Sequence, residues 1–337
     1  MTQPILALSF VIAALSLPLH PIAPDQLARE LLSGRLNARS YEYGALAGEA
    51  DSAEYLAKLE VAVTAGILRS HGVATLPTCK SDREERVLSG VWSAMAARSP
   101  AEWREAVRQA RDADERRRSL IKALVAGKPS PFKEFRAAER LMAASTKATD
   151  PVLRELFQRA ALDQATVTAI AAGPRTFGRG ISPAADSLLG GEAVIHQCKV
   201  GRDNTAWLKN VLARRGWFSI AADGAEADLA AWIIVQHADH DPGFQERVLG
   251  MLGPLVPTKD TRGESYGLLF DRVAISRGRP QRYGTQGGCT EAGAWEPFPI
   301  EDPGRIDAYR AELGMKPHAE YLTLANRFLC GRSPKPN

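Results

Sequence analysis

Between positions 237 and 241 the chain reads His-Ala-Asp-His-Asp, which puts two imidazoles and two carboxylates within five residues. His237 is the candidate general acid or base, because an unperturbed imidazole titrates near neutrality. Asp239, or Asp271 from further along the chain, would orient it. His237 and Asp241 are four residues apart, so a continuing helix would bring them to one face. An imidazole beside a carboxylate there would suit zinc or iron. Against a metal, Asp241 precedes Pro242 and already has a structural task as a helix N-cap. No HExxH or comparable spacing supplies a third ligand. No metal ligand is therefore assigned, and nothing in the sequence calls for a cofactor. No Ser or Cys stands in a recognisable nucleophile elbow, so a covalent triad has no support. A carboxylate pair for glycoside hydrolysis leaves no spacing signature that would include or exclude it.

The candidate binding residues surround this cluster. Gln236 and Gln245 flank it on either side. The pair Asp271-Arg272 could form a wall, with Arg272 clamping an anionic group and Asp271 holding the guanidinium in place. The stretch QRYGTQ, residues 281–286, carries hydroxyls and carboxamides around one glycine. Read as a strand, it places Gln281, Tyr283 and Thr285 on one face and Gln286 on the other. Gly284 would mark the close approach of another backbone or a ligand. These residues are expected to line a polar pocket whose opposite wall is the His-Ala-Asp-His-Asp corner. The alternative is that the same groups satisfy one another, because buried polar groups must be hydrogen-bonded.

The elements that would position these residues are mostly helical. Residues 24–148 read as helix after helix. The best marked of these opens at Ser99 and Pro100, with Glu102 in the capping-box position, and stops at Gly127. Asp150-Pro151 opens another, which runs to about Ala171. The following stretch, rich in Gly, Pro and Ser up to about Gly191, reads as a loop. A short amphipathic helix from Asn204 ends at Gly216. Two further helices meet at the cluster, the first from Ala225 to His240 and the second capped by Asp241. A β-hairpin is expected around Arg277-Gly278, and two short helices close the chain, stopped by Gly314 and started by Pro317. The fold class is mainly α: a helical N-terminal half, then a C-terminal α+β domain with a small β-hairpin or three-stranded sheet. The expected divisions are 1–23, 24–148 and 149–330.

Composition bounds the function. The chain has 337 residues, 45% hydrophobic and 24% charged, with a formal net charge of +4, as in ordinary globular proteins. No Lys/Arg stripe interleaves with aromatics, so nucleic acid is not an expected partner. Residues 5–19 are an apolar run that suits the h-region of a signal peptide and is short for a spanning helix. Left uncleaved, the run would be a membrane anchor. A periplasmic or secreted location is the expectation. Four cysteines, Cys79, Cys198, Cys289 and Cys330, have no CxxC spacing. In an oxidising compartment they allow three connectivities, of which Cys289–Cys330 would tether the tail to the loop after residue 286.

The ordered pieces AAWIIVQHADHDPGFQERVL, DRVAISRGRPQRYGTQ and PFPIEDPGRIDAYRAELGMKPHAEYL resemble an uncharacterised bacterial family, a domain of unknown function. The helix carrying Asp163-Gln164 is similar to that family's opening helix, and the resemblance covers about 151–325. It departs from the pattern at Val167, where a basic residue is expected, and at GGCTEAG, which looks like an insertion. The resemblance brings no activity with it. Two functions remain. One is an exported hydrolase-like enzyme acting through His237 on a polar cell-envelope substrate. The other is a non-catalytic binding or interaction module whose ligand is a polar small molecule, a sugar or a peptide.

Overall fold

Apolar residues recurring at helical spacing, punctuated by Gly, Pro and Ser caps, give thirteen α-helices among the described residues of the computed structural model. The structure describes residues 22–48, 51–73, 75–177, 180–290 and 292–330. The apolar run at 5–19 lies outside them, and no helix among the described residues is long and apolar enough to cross a membrane.

The N-terminal layer holds α1 (Pro24–Ser33), α2 (Ser52–His71), α3 (Asp82–Ala96) and α4 (Pro100–Val125). Ser99 caps α4 by accepting the Glu102 N–H at 3.2 Å. Its box is not closed, because the Glu102 carboxylate accepts from the Arg98 N–H instead. The full capping box is at α3, between Ser81 and Glu84. α5 (Arg136–Lys147) packs on α6 (Pro151–Thr176), whose helical backbone is interrupted at Gly173.

α7 (Pro183–Arg215) corrects the expected loop and the expected short helix from Asn204. It is one helix of 33 residues, about 50 Å long. Gly191 is a packing device rather than a breaker. A Cβ on Gly191 would fall 2.5 Å from the Ser89 hydroxyl, so glycine there lets α7 approach α3 closely. The disulfide Cys79–Cys198 ties the segment before α3 to the middle of the same helix.

α8 (Ile220–Asp223), α9 (Ala225–Gln236), α10 (Pro242–Leu252) and α11 (Gly263–Ser276) complete the larger body. α4 and α7 meet in the N-terminal half, and α7 runs on into the C-terminal one. Their first turns join Leu59, Val63, Leu88 and Val91 in one core. The last turns of α7 join Leu156, Phe157, Phe218, Ile234, Phe244 and Val273 in another.

The expected hairpin at Arg277-Gly278 is not formed. Arg277 is the C-cap of α11 and Gly278 turns in the left-handed region, φ 67°. The hairpin lies further on, where β1 (Gly287–Cys289) pairs antiparallel with β2 (Trp295–Pro297). It falls in the GGCTEAG segment, and the disulfide Cys289–Cys330 ties it to the end of the described chain. α12 (Ile306–Glu312) and α13 (His318–Ala325) close the fold, with Gly314 left-handed between them at φ 68° and Pro317 as the N-cap of α13.

Candidate functional site

α9 ends at Gln236, four residues earlier than expected, so His237 is its C-cap rather than a residue of its last turn. His237 and Asp241 therefore do not share a helix face. Asp241 caps α10 by accepting the Phe244 N–H at 2.9 Å, and it pairs with Lys209 at 2.5 Å. Burial works against ionisation of Asp241, but the Lys209 ammonium and the Phe244 N–H hold its carboxyl below the usual range. The His240 imidazole is held below its ordinary value chiefly by burial. No group of three or more His, Cys, Asp or Glu side chains placed to hold a metal occurs among the described residues.

The carboxylate beside His237 is Asp163 on α6, rather than Asp239 or Asp271. Asp163 is 1% exposed and bonds to His237 Nδ1. With a carboxylate as acceptor, Nδ1 carries the hydrogen, and the neutral form of such a ring has its lone pair on Nε2, which is the tautomer a general base requires. Sequence reasoning assigned Asp163 no role. A signal was present: Asp163 stands between Ala160, Ala161 and Ala165, all buried on the inner face of α6.

Asp239 faces a different partner. One nitrogen of the Arg272 guanidinium donates to both its oxygens, at 2.8 and 3.0 Å. Gln245 is 1% exposed and donates to Asp239 at 3.1 Å and to the Val235 carbonyl at 3.1 Å. It thereby adds a second bond to the Val235 carbonyl, which also accepts the Ala238 N–H at 3.1 Å, and fixes the corner that carries Asp239.

Asp271 is fully buried and explains the QRYGTQ segment. That segment is a loop wound around the Asp271 carboxylate, not a strand. One oxygen accepts the N–H of Arg282 at 2.8 Å and of Tyr283 at 3.0 Å. The other accepts the N–H and the hydroxyl of Thr285, both at 2.9 Å. Burial pushes the Asp271 carboxyl above its usual range, against the downward pull of these four donors. All its bonds go to the loop, so it is not positioned to orient His237. Gln281 closes the loop base. It donates to the carbonyls of Gln286 and Phe298 and accepts the Gln286 N–H at 2.8 Å. Gly284 is left-handed, φ 65°, and a Cβ there would fall 2.5 Å from the His318 ring. The close approach expected at this glycine is thus to α13.

Tyr283 does not reach the His-Ala-Asp-His-Asp corner. It is buried, meets Phe270 edge to face at 5.5 Å, and its carbonyl accepts from the buried Arg310. Arg310 also donates to the Lys316 carbonyl and lies 5.0 Å from the Tyr321 ring, tying both closing helices to the loop. No sequence pattern singled it out.

Four of the expected binding residues do come together. Gln236, Arg272, Thr285 and Gln286 line a cavity of about 280 Å³. Its apolar walls include Trp232, Trp295 and Tyr321. Two of the rings are held by a polar tether, as Trp232 Nε1 donates to the Ser265 carbonyl and Tyr321 Oη to the Thr285 carbonyl, while Trp295 meets Tyr321 edge to face at 5.8 Å. Gln245, Gln281, Tyr283 and Asp271 support this cavity from outside its lining. His237 is not among the lining residues, although it follows Gln236 directly in the chain; its side-chain partner is Asp163, whereas Asp239 pairs with the lining residue Arg272.

Residues 164–330, the C-terminal half, match the model of a family of unknown function, DUF6624. This half therefore belongs to that family, and its first matched residue follows Asp163. No curated protein and no solved structure matches the chain.

Proposed function

We propose that the C-terminal half binds a small polar ligand, a sugar or a short peptide, in the cavity between α9, α11 and the Thr285-Gln286 segment. The observation that carries this reading is the meeting of two carboxamides, a hydroxyl and a guanidinium with three aromatic side chains around one space of about 280 Å³. Ring faces take the apolar side of a sugar or side chain, and a few convergent polar groups set orientation. The volume falls just below the roughly 300–1,000 Å³ of drug-sized sites, which suits one sugar ring or a dipeptide. Arg272, one nitrogen of which is taken by Asp239, has its remaining N–H groups as donors to a polar ligand. The reading takes the protein as exported, periplasmic or secreted. The apolar run at 5–19 and the two disulfides support that part.

A second reading rests on the His237–Asp163 pair. An imidazole oriented by a buried carboxylate is the base half of a hydrolase, with water as the attacking group. In this reading the same cavity holds the polar envelope substrate and His237 acts at its edge.

The test is calorimetric titration of the purified chain with N-acetylglucosamine and with D-alanyl-D-alanine, beside Gln236→Ala and Gln286→Ala variants. Saturable binding of either probe, weakened about tenfold or more in both variants, is the expected result (tenfold corresponds to 1.4 kcal/mol). Binding that both variants leave unchanged sinks the assignment of the cavity. Release of product from an oligomeric form of the bound probe, lost in His237→Ala while binding persists, selects the hydrolase reading over the binding module.

A further inference from the structure

A larger cavity, about 620 Å³, opens between α3, α4, α7 and the segment around Tyr41. From the family-matched residues only Leu188 and Glu192 of α7 reach it, so it belongs mainly to the N-terminal half. Its apolar wall is a row of three rings. Tyr41 and Tyr43 meet edge to face at 4.9 Å, and Tyr43 and Trp103 lie 6.4 Å apart. Glycine is required behind them. A Cβ on Gly90 would fall 2.5 Å from the Tyr43 ring, and one on Gly44 would fall 2.7 Å from the Trp103 ring. Tyr43 and Trp103 are buried, yet the Tyr43 hydroxyl and the Trp103 indole N–H have no hydrogen-bond partner among the described residues. These two polar atoms are themselves enclosed, so the wall presents ring surface rather than hydrogen-bonding groups to the cavity.

The rim has a charge imbalance. Five cationic side chains line the cavity against three carboxylates. Two of the acids are already committed: Glu192 to Arg86 at 2.8 Å, and Asp114 to Arg117 and Arg118 at 2.5 and 2.6 Å. Arg39, Arg111 and Lys122 are exposed and have no ion-pair partner among the described residues, with Glu115 the one lining acid left uncommitted.

We infer that this cavity binds an aromatic anion. A flat apolar body lies against Tyr41, Tyr43 and Trp103, and its carboxylate or other acidic group meets Arg39, Arg111 and Lys122. Aromatic walls favour a planar partner through offset and edge contacts, and unpaired guanidinium and ammonium groups at a rim favour a negative head. The volume accommodates a ligand of drug-like size. The site is independent of the smaller cavity and does not rest on the function proposed for it.

The experiment is a fluorescence titration of the full chain with 1-pyrenebutyrate and, in parallel, with its uncharged analogue 1-pyrenebutanol, at low and at high salt. The acid is expected to bind about tenfold more tightly than the alcohol, with the gap narrowing as salt screens the rim. The double variant Arg111→Glu/Lys122→Glu changes two exposed positions and should close the gap, with its thermal unfolding unchanged. Gln286→Ala, in the other cavity, should leave acid binding as it is. Equal affinity for acid and alcohol, no binding of either, or acid binding that depends on Gln286 and not on Arg111 and Lys122 would each overturn the inference.

Discussion

Replacing Asp271 with Asn tests whether its carboxylate builds the Arg282–Gln286 loop. Asp271 is fully buried and accepts four hydrogen bonds, three of them from backbone N–H groups. An asparagine has one acceptor oxygen. If that oxygen keeps the Arg282 and Tyr283 donors, the side-chain amide faces the Thr285 N–H, donor against donor. Leaving one buried N–H unsatisfied costs about 1–3 kcal/mol. The two retained bonds weaken from charged to neutral acceptors, about 0.5–1 kcal/mol each. The Thr285 hydroxyl can rotate and accept from the new amide, so its loss is small. Relief from burying a charge offsets part of the total, consistent with the upward push on the carboxyl. The expected net loss is about 2–3 kcal/mol, or roughly 3–4 °C in melting temperature for a chain of this size. Urea unfolding followed by far-ultraviolet circular dichroism measures it, and the ligand titration of the smaller cavity should weaken in parallel, because Thr285 and Gln286 line that cavity. An Asp271→Asn protein within about 0.5 kcal/mol of the parent, a typical value for an uninvolved surface change, would refute the role given to this carboxylate.

Burial and the Arg117 guanidinium lower the His196 pKa to about 4. Below its unfolded value near 6.5 the unfolded chain binds more protons, so stability should fall as pH drops from about 6.5 to 4. Linkage puts the loss at pH 5 near 2 kcal/mol, discounted to about 1 kcal/mol because the ring is only partly buried, and His196→Gln should flatten the urea-midpoint profile over that window. Gly284→Ala forces a side chain into a left-handed position against His318. It should cost about 2–4 kcal/mol in the same unfolding assay, whereas Gly314→Ala, with the same backbone sign but open space around it, should cost less. Chain-entropy arguments assign about 5 kcal/mol to the Cys79–Cys198 bridge, with 119 residues of separation, and about 4 kcal/mol to Cys289–Cys330, with 41. Paired Cys→Ser variants should therefore both melt well below the parent, and intact mass of the oxidised protein should be four hydrogens lower than that of the reduced form.

Local chemistry was legible in the chain. Ser99-Pro100 and Asp241-Pro242 are N-terminal caps written in adjacent residues, and both cap helices. Gly314 and Pro317 mark the stop and the start that the backbone takes there. The mainly helical class, with one small hairpin, follows from periodicity in the same way. The errors have a common cause. Gly190-Gly191 looked like a breaker, because propensity sees only the cost of glycine in a helix; α7 continues through it because Gly191 packs against Ser89 of α3. Residues 281–286 looked like a strand because polar alternation is also what a loop shows when its N–H groups turn toward one buried acceptor. That acceptor, Asp271, lies ten residues before Gln281, at a distance no local window weighs.

The sequence by itself determined the residue types of the site, the helix caps and the C-terminal family. Tertiary structure alone decided the pairings: Asp163 with His237, Asp239 with Arg272, Asp271 with the loop, and the cavity that gathers Gln236, Arg272, Thr285 and Gln286. The physical reason is that a cap or a turn is settled by neighbours along the chain. A buried carboxylate instead takes whichever donors the packing of distant helices brings within reach, here across 74 residues between Asp163 and His237.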